Sequence, residues 1–187
     1  MYNNMDNAKI KASAVKFSTA RSNLLLVVLL TIVNVVLHTF GSTFHMFFSS
    51  TMPMIAIVEL RPLSETFAYI AAFFIIFAYF MCWWFSKRTR AFILVALIIF
   101  SLDTLLFLLF IGDLLLFGIF EFAMVIGLIF HGWILYYLIT GTVAWSRLQG
   151  VTNEQLEGIK AAVDNEIASN ALKDISDSSN EGQNKEG

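Results

Sequence analysis

Charged residues are scarce in this 187-residue chain: they make up 14% of it, whereas 58% is hydrophobic. This is about half the charged share of a usual soluble domain, which excludes that class. Apolar stretches of about twenty residues recur, and this is the length of a helix that crosses a bilayer. The stretches are continuously apolar and do not alternate with polar residues, so they favour membrane-spanning helices over a β-barrel.

Sequence motifs for chemistry are also missing. Cys82 is the only cysteine, so no intramolecular disulfide can form. The chain contains no Walker loop, Cys-x-x-Cys pair, His-Glu-x-x-His sequence or Gly-x-Ser-x-Gly sequence. Its basic residues are too few and too close to the apolar stretches to form a nucleic-acid surface. We therefore predict no catalytic residue, no cofactor and no nucleic-acid partner; the composition itself requires a lipid bilayer.

All but one of the twelve basic residues fall on one side of the membrane if the chain crosses it four times. Residues 1–23 hold four of the twelve, the turn at 86–91 holds three and the chain after Trp145 holds four, which leaves Arg61. Since Lys and Arg concentrate in cytoplasmic segments, this predicts an all-α cell-membrane protein with both termini in the cytoplasm. The predicted four-transmembrane-helix bundle has spans at about 24–40, 67–85, 92–111 and 122–144. The first span is too long for a signal-peptide core and is expected to stay uncleaved.

The segment 41–66 is predicted to stay on the outer surface. Residues 44–60 are apolar enough for a further crossing, but that crossing would move the basic turn at 86–91 to the outer side. The polar residues before Pro53 mark a helix start, so we expect an interfacial or re-entrant helix from about Met52 to Leu60. The next span is predicted to be capped by Ser64, with Glu65 in its first turn. It carries no charge beyond that turn, and Cys82 is its only candidate residue for chemistry.

The longest apolar stretch, residues 92–145, is predicted to be a helical hairpin with its turn near Phe117-Gly118. Its ionisable residues are Asp103, Asp113, Glu121 and His131. They are arranged symmetrically about that turn. The middle two are then solvated at the outer tip, whereas Asp103 and His131 lie inside the membrane at matching depth. An ionisable residue there is costly, so each of these two should face a partner in the bundle.

A layer of polar side chains is therefore predicted inside the membrane. Asn34 and His38 share one face of the first span and lie about 15 and 21 Å from its inner end. Asp103 lies about 16 Å, and His131 about 20 Å, from the inner ends of their own spans. All four fit one layer of a bilayer about 30 Å thick. Gly127, one turn before His131, would let another helix approach closely.

Two interpretations of this cluster are open. A hydrogen bond between Asp103 and His131, assisted by Asn34, would lock helix packing; alternatively, these residues carry a proton, an ion or a ligand, as ionisable groups inside membranes often do. Residue types alone also permit a metal site at His38, Asp103 and His131, although their spacing does not require one. The leading prediction is a non-catalytic binding or accessory membrane subunit. The alternative is a proton- or ion-coupled transporter, and an intramembrane metal enzyme is a weaker third.

Both terminal segments are predicted to be cytoplasmic. Residues 8–21 fit either a short basic helix on anionic lipid or a disordered tail. Residues 146–175 contain an amphipathic helix by periodicity, begun by Thr152 and Gln155 as a capping box. From residue 151 onward there are eight acidic residues against three Lys, so residues 152–175 are expected to dock a protein partner or a second copy and not lipid. Residues 176–187 should form a disordered tail.

Four strings of the sequence resemble a known group of proteins. They are ARSNLLL, FHMFFSSTMP, ALIIFSLDTLLFLLF and FHGWILYYLITG, and they fall within about residues 20–150. In these strings, of which those holding Asp103 and His131 are the most distinctive, the chain resembles an uncharacterised family of small four-span membrane proteins from Gram-positive bacteria. The resemblance implies a multi-pass membrane protein, and it brings no activity, substrate or catalytic residue with it.

Overall fold

The computed structural model describes residues 4–40, 49–118 and 120–152, together with scattered positions between 154 and 173. Its helices are α1 (Asn4–Thr39), α2 (Met52–Leu60), α3 (Glu65–Phe85), α4 (Phe92–Leu116) and α5 (Phe122–Arg147). No strand occurs in this part of the chain. All of these helices except α2 are long and apolar enough to cross a membrane, which confirms the all-α fold with four membrane-length helices.

The described residues form two compact units. One holds the residues up to Val15 and those from Arg147 onward, and the other holds residues 16–146. The larger unit contains α2, α3, α4 and nearly all of α5.

Helix α1 is longer than the first predicted span. It runs unbroken for 36 residues, about 54 Å at 1.5 Å per residue, against a hydrocarbon core of about 30 Å. Residues 4–23 contain no Gly or Pro that would end a helix before Leu24. Phe17, Ala20, Leu24 and Val27 recur at helical spacing and are all buried. Residues 8–21 therefore continue α1 and form neither a separate surface helix nor a disordered tail.

Helix α2 covers the range in which the sequence predicts a short helix. Pro53 lies in its first turn, where the missing N–H of proline breaks no bond. The chain then turns into α3, whose first N–H groups are capped as predicted: the Ser64 hydroxyl accepts a hydrogen bond from the Phe67 amide at 3.4 Å. Helix α3 packs against both α2 and α4. Residues 41–48 lie outside the described residues.

The hairpin of α4 and α5 turns where the charge symmetry predicts. Helix α4 ends at Leu116, and Gly118 has a φ of 72°, a left-handed conformation that favours glycine. Asp113 and Glu121 are both exposed beside this turn. Phe107, Ile111 and Met124 form a buried apolar cluster between the two helices. These contacts align α4 and α5 so that Asp103 and His131 come to the same level.

Helices α1 and α5 approach closely at a glycine. A Cβ atom added to Gly141 would collide with the Ala20 side chain, and Ile93 of α4 lies 3.8 Å away. The backbones approach each other because both residues are small, as is common where helices pack in membranes.

We expect Gly141→Ala to lower the free energy of unfolding by about 1–3 kcal/mol, because overpacking forces neighbouring backbones apart. Adding Ala20→Gly should recover most of the loss, since it removes the colliding methyl group. Gly132→Ala on the same helix meets nothing within 4 Å and should be neutral or stabilising. Thermal unfolding of the four purified proteins in one detergent measures these differences. An equal loss in both glycine variants would contradict the close contact.

The C-terminal segment is described only in part. Its predicted capping box is formed: the Thr152 amide donates to Gln155 Oε1 at 2.9 Å, and the Gln155 amide donates to Thr152 Oγ1 at 3.2 Å. Most of the predicted apolar stripe, namely Leu156, Val163, Ile167, Leu172 and Ile175, lies outside the described residues. The amphipathic helix, like the tail at 176–187, therefore stays a prediction.

Candidate functional site

Asp103 lies where the start of α2 meets the two helices of the hairpin. Its side chain is fully buried, and that of His131, which faces it from α5, is 1% exposed. The pair is therefore shielded from bulk solvent, and protein atoms surround the carboxylate. Such a group is stable inside a membrane only if hydrogen bonds or an opposite charge compensate for its lost hydration.

One oxygen of Asp103 caps helix α2. Its Oδ1 accepts hydrogen bonds from the Ser50 hydroxyl at 3.1 Å, the Thr51 amide at 2.9 Å and the Met52 amide at 2.6 Å. The first amides of a helix have no partner within the helix, and they carry a partial positive charge. Thr51, the N-cap residue, makes no capping bond with its own side chain. Asp103 therefore supplies from α4 the cap that α2 lacks.

The other oxygen of Asp103 faces His131. Asp103 Oδ2 and His131 Nε2 are 3.5 Å apart, an ion-pair distance that is too long for a hydrogen bond in this geometry. On the opposite edge of the ring, Nδ1 lies 3.0 Å from the Gly127 carbonyl oxygen. This contact is attractive only if Nδ1 carries a hydrogen.

The two contacts of His131 determine how many protons the pair must hold. If Nδ1 donates to Gly127, a neutral imidazole turns the lone pair of Nε2 toward the carboxylate, and the two acceptors repel. Attraction requires one further proton between His131 and Asp103, either on Nε2 or on Oδ2. The three donors on Oδ1 fit an oxygen that acts as an acceptor, and a shared proton would lie between Oδ2 and Nε2.

Aromatic rings surround the imidazole of His131. The Phe107 ring is stacked on it at a centroid distance of 4.3 Å, and the Phe100 ring at 5.2 Å. The faces of aromatic rings attract cations, with a larger effect where water is excluded. Both phenylalanines are fully buried, so they shield the pair from solvent.

Helix α1 holds the residues before α2 from the other side. Thr31 Oγ1 donates to the Val27 carbonyl at 2.7 Å and accepts from the Ser50 amide at 3.0 Å. The Asn34 amide donates to Ser49 Oγ at 2.8 Å. The segment preceding α2 is therefore bonded to α1 through Thr31 and Asn34 and to α4 through Asp103.

The predicted polar layer is present in part. Asp103 and His131 face each other, and Asn34 joins them indirectly, through Ser49 and Ser50. His38 lies one turn further along α1 and is only half-buried, whereas the other three are buried. The sequence predicts a depth for His38 close to that of His131. Along α1, however, His38 lies a full helical turn, about 6 Å, beyond Asn34.

Tyr79 belongs to the site, although the sequence of α3 points only to Cys82. It is 1% exposed, and its hydroxyl lies beside Ser50 and Asp103 without reaching hydrogen-bonding geometry. Its position in the middle of an otherwise apolar span indicates polar neighbours, since buried tyrosine hydroxyls usually find hydrogen-bond partners. The sequence places Ser50 only before a predicted helix start, and nothing in it indicates the bond to Asp103.

A metal ion bound by these residues would need several ligands close together. In the part of the chain that the structure describes, no three His, Cys, Asp or Glu side chains come close enough together to hold a metal ion. The geometry of Asp103 and His131 is that of two groups facing each other, and the remaining contacts of Asp103 are with hydrogen-bond donors.

We expect Thr31→Val to lower the free energy of unfolding by about 1–3 kcal/mol, because the buried Ser50 amide loses its acceptor. Thr142→Val is the matched control. Its hydroxyl bonds only the Leu138 carbonyl of its own helix, at 2.9 Å, so its removal should change stability by less than about 1 kcal/mol. Chemical unfolding in mixed micelles measures both. Equal effects would contradict a specific role for Thr31 in holding α2.

Comparison of the chain with protein-family models, with curated proteins and with solved structures finds no match.

Proposed function

We propose that this chain is a small multi-pass membrane protein of binding or accessory type, without catalysis. The observation that carries the proposal is the bonding of Asp103. Three hydrogen bonds from residues 50–52 occupy one oxygen of its carboxylate, and the other faces His131. A carboxylate bound in this way holds helices together, and a substrate would have to displace α2 to reach it.

The proposal includes a topology with both termini in the cytoplasm. The charge distribution supports it, because Arg61 alone among the twelve basic residues falls outside the segments predicted to be cytoplasmic. One contact is also consistent with it: Arg21 Nε donates to Ser86 Oγ at 2.8 Å, which brings the basic start of α1 beside the basic turn after α3. The resemblance to four-span proteins of Gram-positive bacteria is likewise part of the proposal.

The acidic C-terminal segment is the proposed contact surface of the accessory protein. Its sequence has eight acidic residues against three Lys from residue 151 onward, and its described positions Glu154 and Glu157 are exposed. An acidic polar face is repelled by anionic lipid, so a basic protein surface or a second copy fits it better.

Crosslinking in membranes tests the contact surface. We expect the full chain to form a defined crosslinked species that Glu154→Lys with Glu157→Lys abolishes, because the charge reversal repels a basic partner. Asp113→Lys with Glu121→Lys makes the same change in charge at the tip of the hairpin and should leave the species intact. If the purified chain runs alone and the C-terminal reversal changes no crosslink, this part of the proposal is wrong.

A transporter coupled to protons or ions is the second candidate, and a specific observation favours it. Tyr79 Oη, Asp103 Oδ2 and His131 Nε2 are buried within the described part of the chain and lack a hydrogen-bond partner there. Groups of this kind form proton relays in membrane proteins. Under the accessory proposal, these three atoms belong instead to a packed helix contact in which not every polar atom forms a hydrogen bond.

Proteoliposomes that enclose a pH-sensitive dye separate the two candidates. The accessory proposal predicts that the wild-type protein passes protons no faster than protein-free vesicles do. A transporter would show a pH-dependent flux that Asp103→Asn abolishes while the protein still inserts and folds. Asp113→Asn, at the exposed tip, is the control of equal charge change. A flux lost only in Asp103→Asn would overturn the accessory proposal.

A further inference from the structure

Two aromatic side chains with polar atoms lie on the exposed face of α5. Trp133 is 45% exposed and Tyr136 is 60% exposed. They follow His131 by two and five residues, so at about 100° per residue both lie on the far side of the helix from the Asp103 site. Tyr137 meets their rings edge-on, but within the described residues neither the Trp133 N–H nor the Tyr136 hydroxyl forms a hydrogen bond. Both groups are therefore open to a partner from outside the chain.

Both side chains lie deep in the membrane wherever α5 crosses it. Helix α5 has 26 residues, of which about twenty cross a hydrocarbon core of about 30 Å. For every choice of twenty, from 122–141 to 128–147, the Cα atoms of Trp133 and Tyr136 lie at least about 7 Å inside the nearer boundary. Helical side chains lean toward the N-terminus of their helix, so the Tyr136 hydroxyl reaches about the level of Trp133.

The other described tryptophans and tyrosines are placed differently. Those within a few residues of a helix end, where aromatic belts form, are Tyr69, Trp83, Trp84 and Trp145. Tyr79 is buried, and Tyr137 is half-buried. Acyl chains carry no hydrogen-bond acceptor, so a donor that faces them in mid-membrane stays unsatisfied at a cost. The exposed pair on α5 therefore favours a protein partner inside the bilayer.

The same face of α5 has the residue spacing of a helix pair. Its members are separated alternately by three and four residues, and they are Ile126, Ile129, Trp133, Tyr136, Thr140 and Val143. Thr140 is half-buried and the others are exposed. Two helices with this seven-residue repeat stay in contact along one line. We call these six residues the α5 seam.

A second copy of the chain supplies what both polar groups on the seam need. Two copies insert in the same orientation, so the two-fold axis of a dimer is parallel to the membrane normal and each residue meets its counterpart at equal depth. An indole N–H only donates, whereas a tyrosine hydroxyl also accepts. Because the Tyr136 oxygen lies at about the level of Trp133, the Trp133 N–H of one copy can donate to the Tyr136 oxygen of the other, and symmetry forms this bond twice.

We infer that the chain forms a symmetric dimer in the membrane through the α5 seam, with Trp133 of each copy bonded to Tyr136 of the other. This interface goes beyond the contact surface proposed for the C-terminal segment and does not depend on it. Glu154→Lys with Glu157→Lys should therefore leave the α5 contact intact.

Cysteine crosslinking in membranes tests where the copies meet. In a Cys82→Ala background, Ile129→Cys and Val143→Cys should form disulfide-linked dimers on oxidation, because the seam brings each residue against its counterpart. The controls are Phe74→Cys on α3 and Leu105→Cys on α4, which are also exposed and should stay monomeric. Equal dimer yields at all four positions would indicate random collision and would overturn the inference.

Energy transfer between labelled copies in liposomes tests the hydrogen bonds, because its dependence on the protein-to-lipid ratio gives the dissociation constant. Tyr136→Phe keeps the ring but removes the oxygen, so both bonds of the dimer are lost and the dissociation constant should rise about tenfold. Tyr69→Phe removes the same atom near the start of α3 and should change it by less than about twofold. A monomeric wild type, or equal affinity of Tyr136→Phe and wild type, would overturn the inference.

A double-mutant cycle assigns the bond to these two residues. Trp133→Phe removes the donor of the same two bonds, so adding Tyr136→Phe to it should weaken the dimer little further. Losses that multiply in the double variant would contradict a bond between Trp133 and Tyr136. Thermal unfolding of each variant in detergent confirms that the fold is intact before association is measured.

A different membrane protein on the α5 seam is the competing outcome. It would appear as a crosslink from Ile129→Cys to a protein of another mass in cell membranes, with no energy transfer between purified copies, and it would overturn the dimer. The C-terminal variant Glu154→Lys with Glu157→Lys separates the two proposed interfaces. It should keep the Ile129→Cys disulfide, and loss of that disulfide would contradict pairing through α5 itself.

Discussion

Replacing Asp103 with alanine should lower the free energy of unfolding by about 3–5 kcal/mol, the range for breaking a buried charged pair. The change leaves the Ser50 hydroxyl and the Thr51 and Met52 amides without an acceptor, and it leaves His131 facing an apolar group. Each unpaired buried group costs about 1–3 kcal/mol. Chemical unfolding in mixed micelles, with a tryptophan fluorescence readout, measures the loss.

Two further variants make this result specific. Asp103→Asn keeps an oxygen that can accept from the first amides of α2 but has no charge, so it should lose only part of the stability, about 1–3 kcal/mol. Asp113→Ala removes an exposed carboxylate from the same helix and should change stability by less than about 0.5 kcal/mol. If Asp103→Ala and Asp113→Ala are equally mild, the carboxylate is not a cap for α2.

The second large effect concerns the pair as a unit. Replacing both partners of a buried ion pair by apolar residues often leaves stability unchanged or raises it. Here we expect Asp103→Leu with His131→Phe to remain destabilised by at least about 3 kcal/mol, because three donors at the start of α2 still lack an acceptor. The His131→Phe single variant should be less destabilised, since the hydrogen bonds to Oδ1 survive.

The same double-mutant cycle distinguishes a cap from an ordinary ion pair. Recovery of wild-type stability in the double variant would mean that Asp103 is needed only to pair with His131. Persistent loss would mean that its main partner is α2. The measurement is the free energy of unfolding of the four proteins under one set of conditions.

The spans and the hairpin turn were predictable because their signals are local. Continuous apolar stretches define α3, α4 and α5, and paired charges about Phe117 give the position of the turn. The start of α1 was not predictable in this way, since composition changes near Leu24 but nothing before that residue ends a helix. Composition indicates where a membrane lies, whereas a helix continues until its backbone is interrupted.

The contact of Asp103 with residues 50–52 could not be predicted from the sequence. More than fifty residues separate the partners, and α2 does not read as a span whose depth could be compared with α4. The role of Tyr79 is not predictable for a related reason: α3 is apolar all round, so its sequence does not show which face turns inward. Asp103 and His131 were found because helical rise alone gives their depth.

Amide hydrogen exchange at Thr51 and Met52 tests the central claim most directly, because these are the two backbone amides that Asp103 binds. In the wild-type protein both amides should exchange slowly, at rates near those of the buried core of the hairpin around Phe107. In Asp103→Ala they should exchange at least a hundredfold faster while the Phe107 region keeps its protection. Fast exchange in the wild type, or rates that the substitution does not alter, would contradict an account in which a buried carboxylate on α4 anchors helix α2.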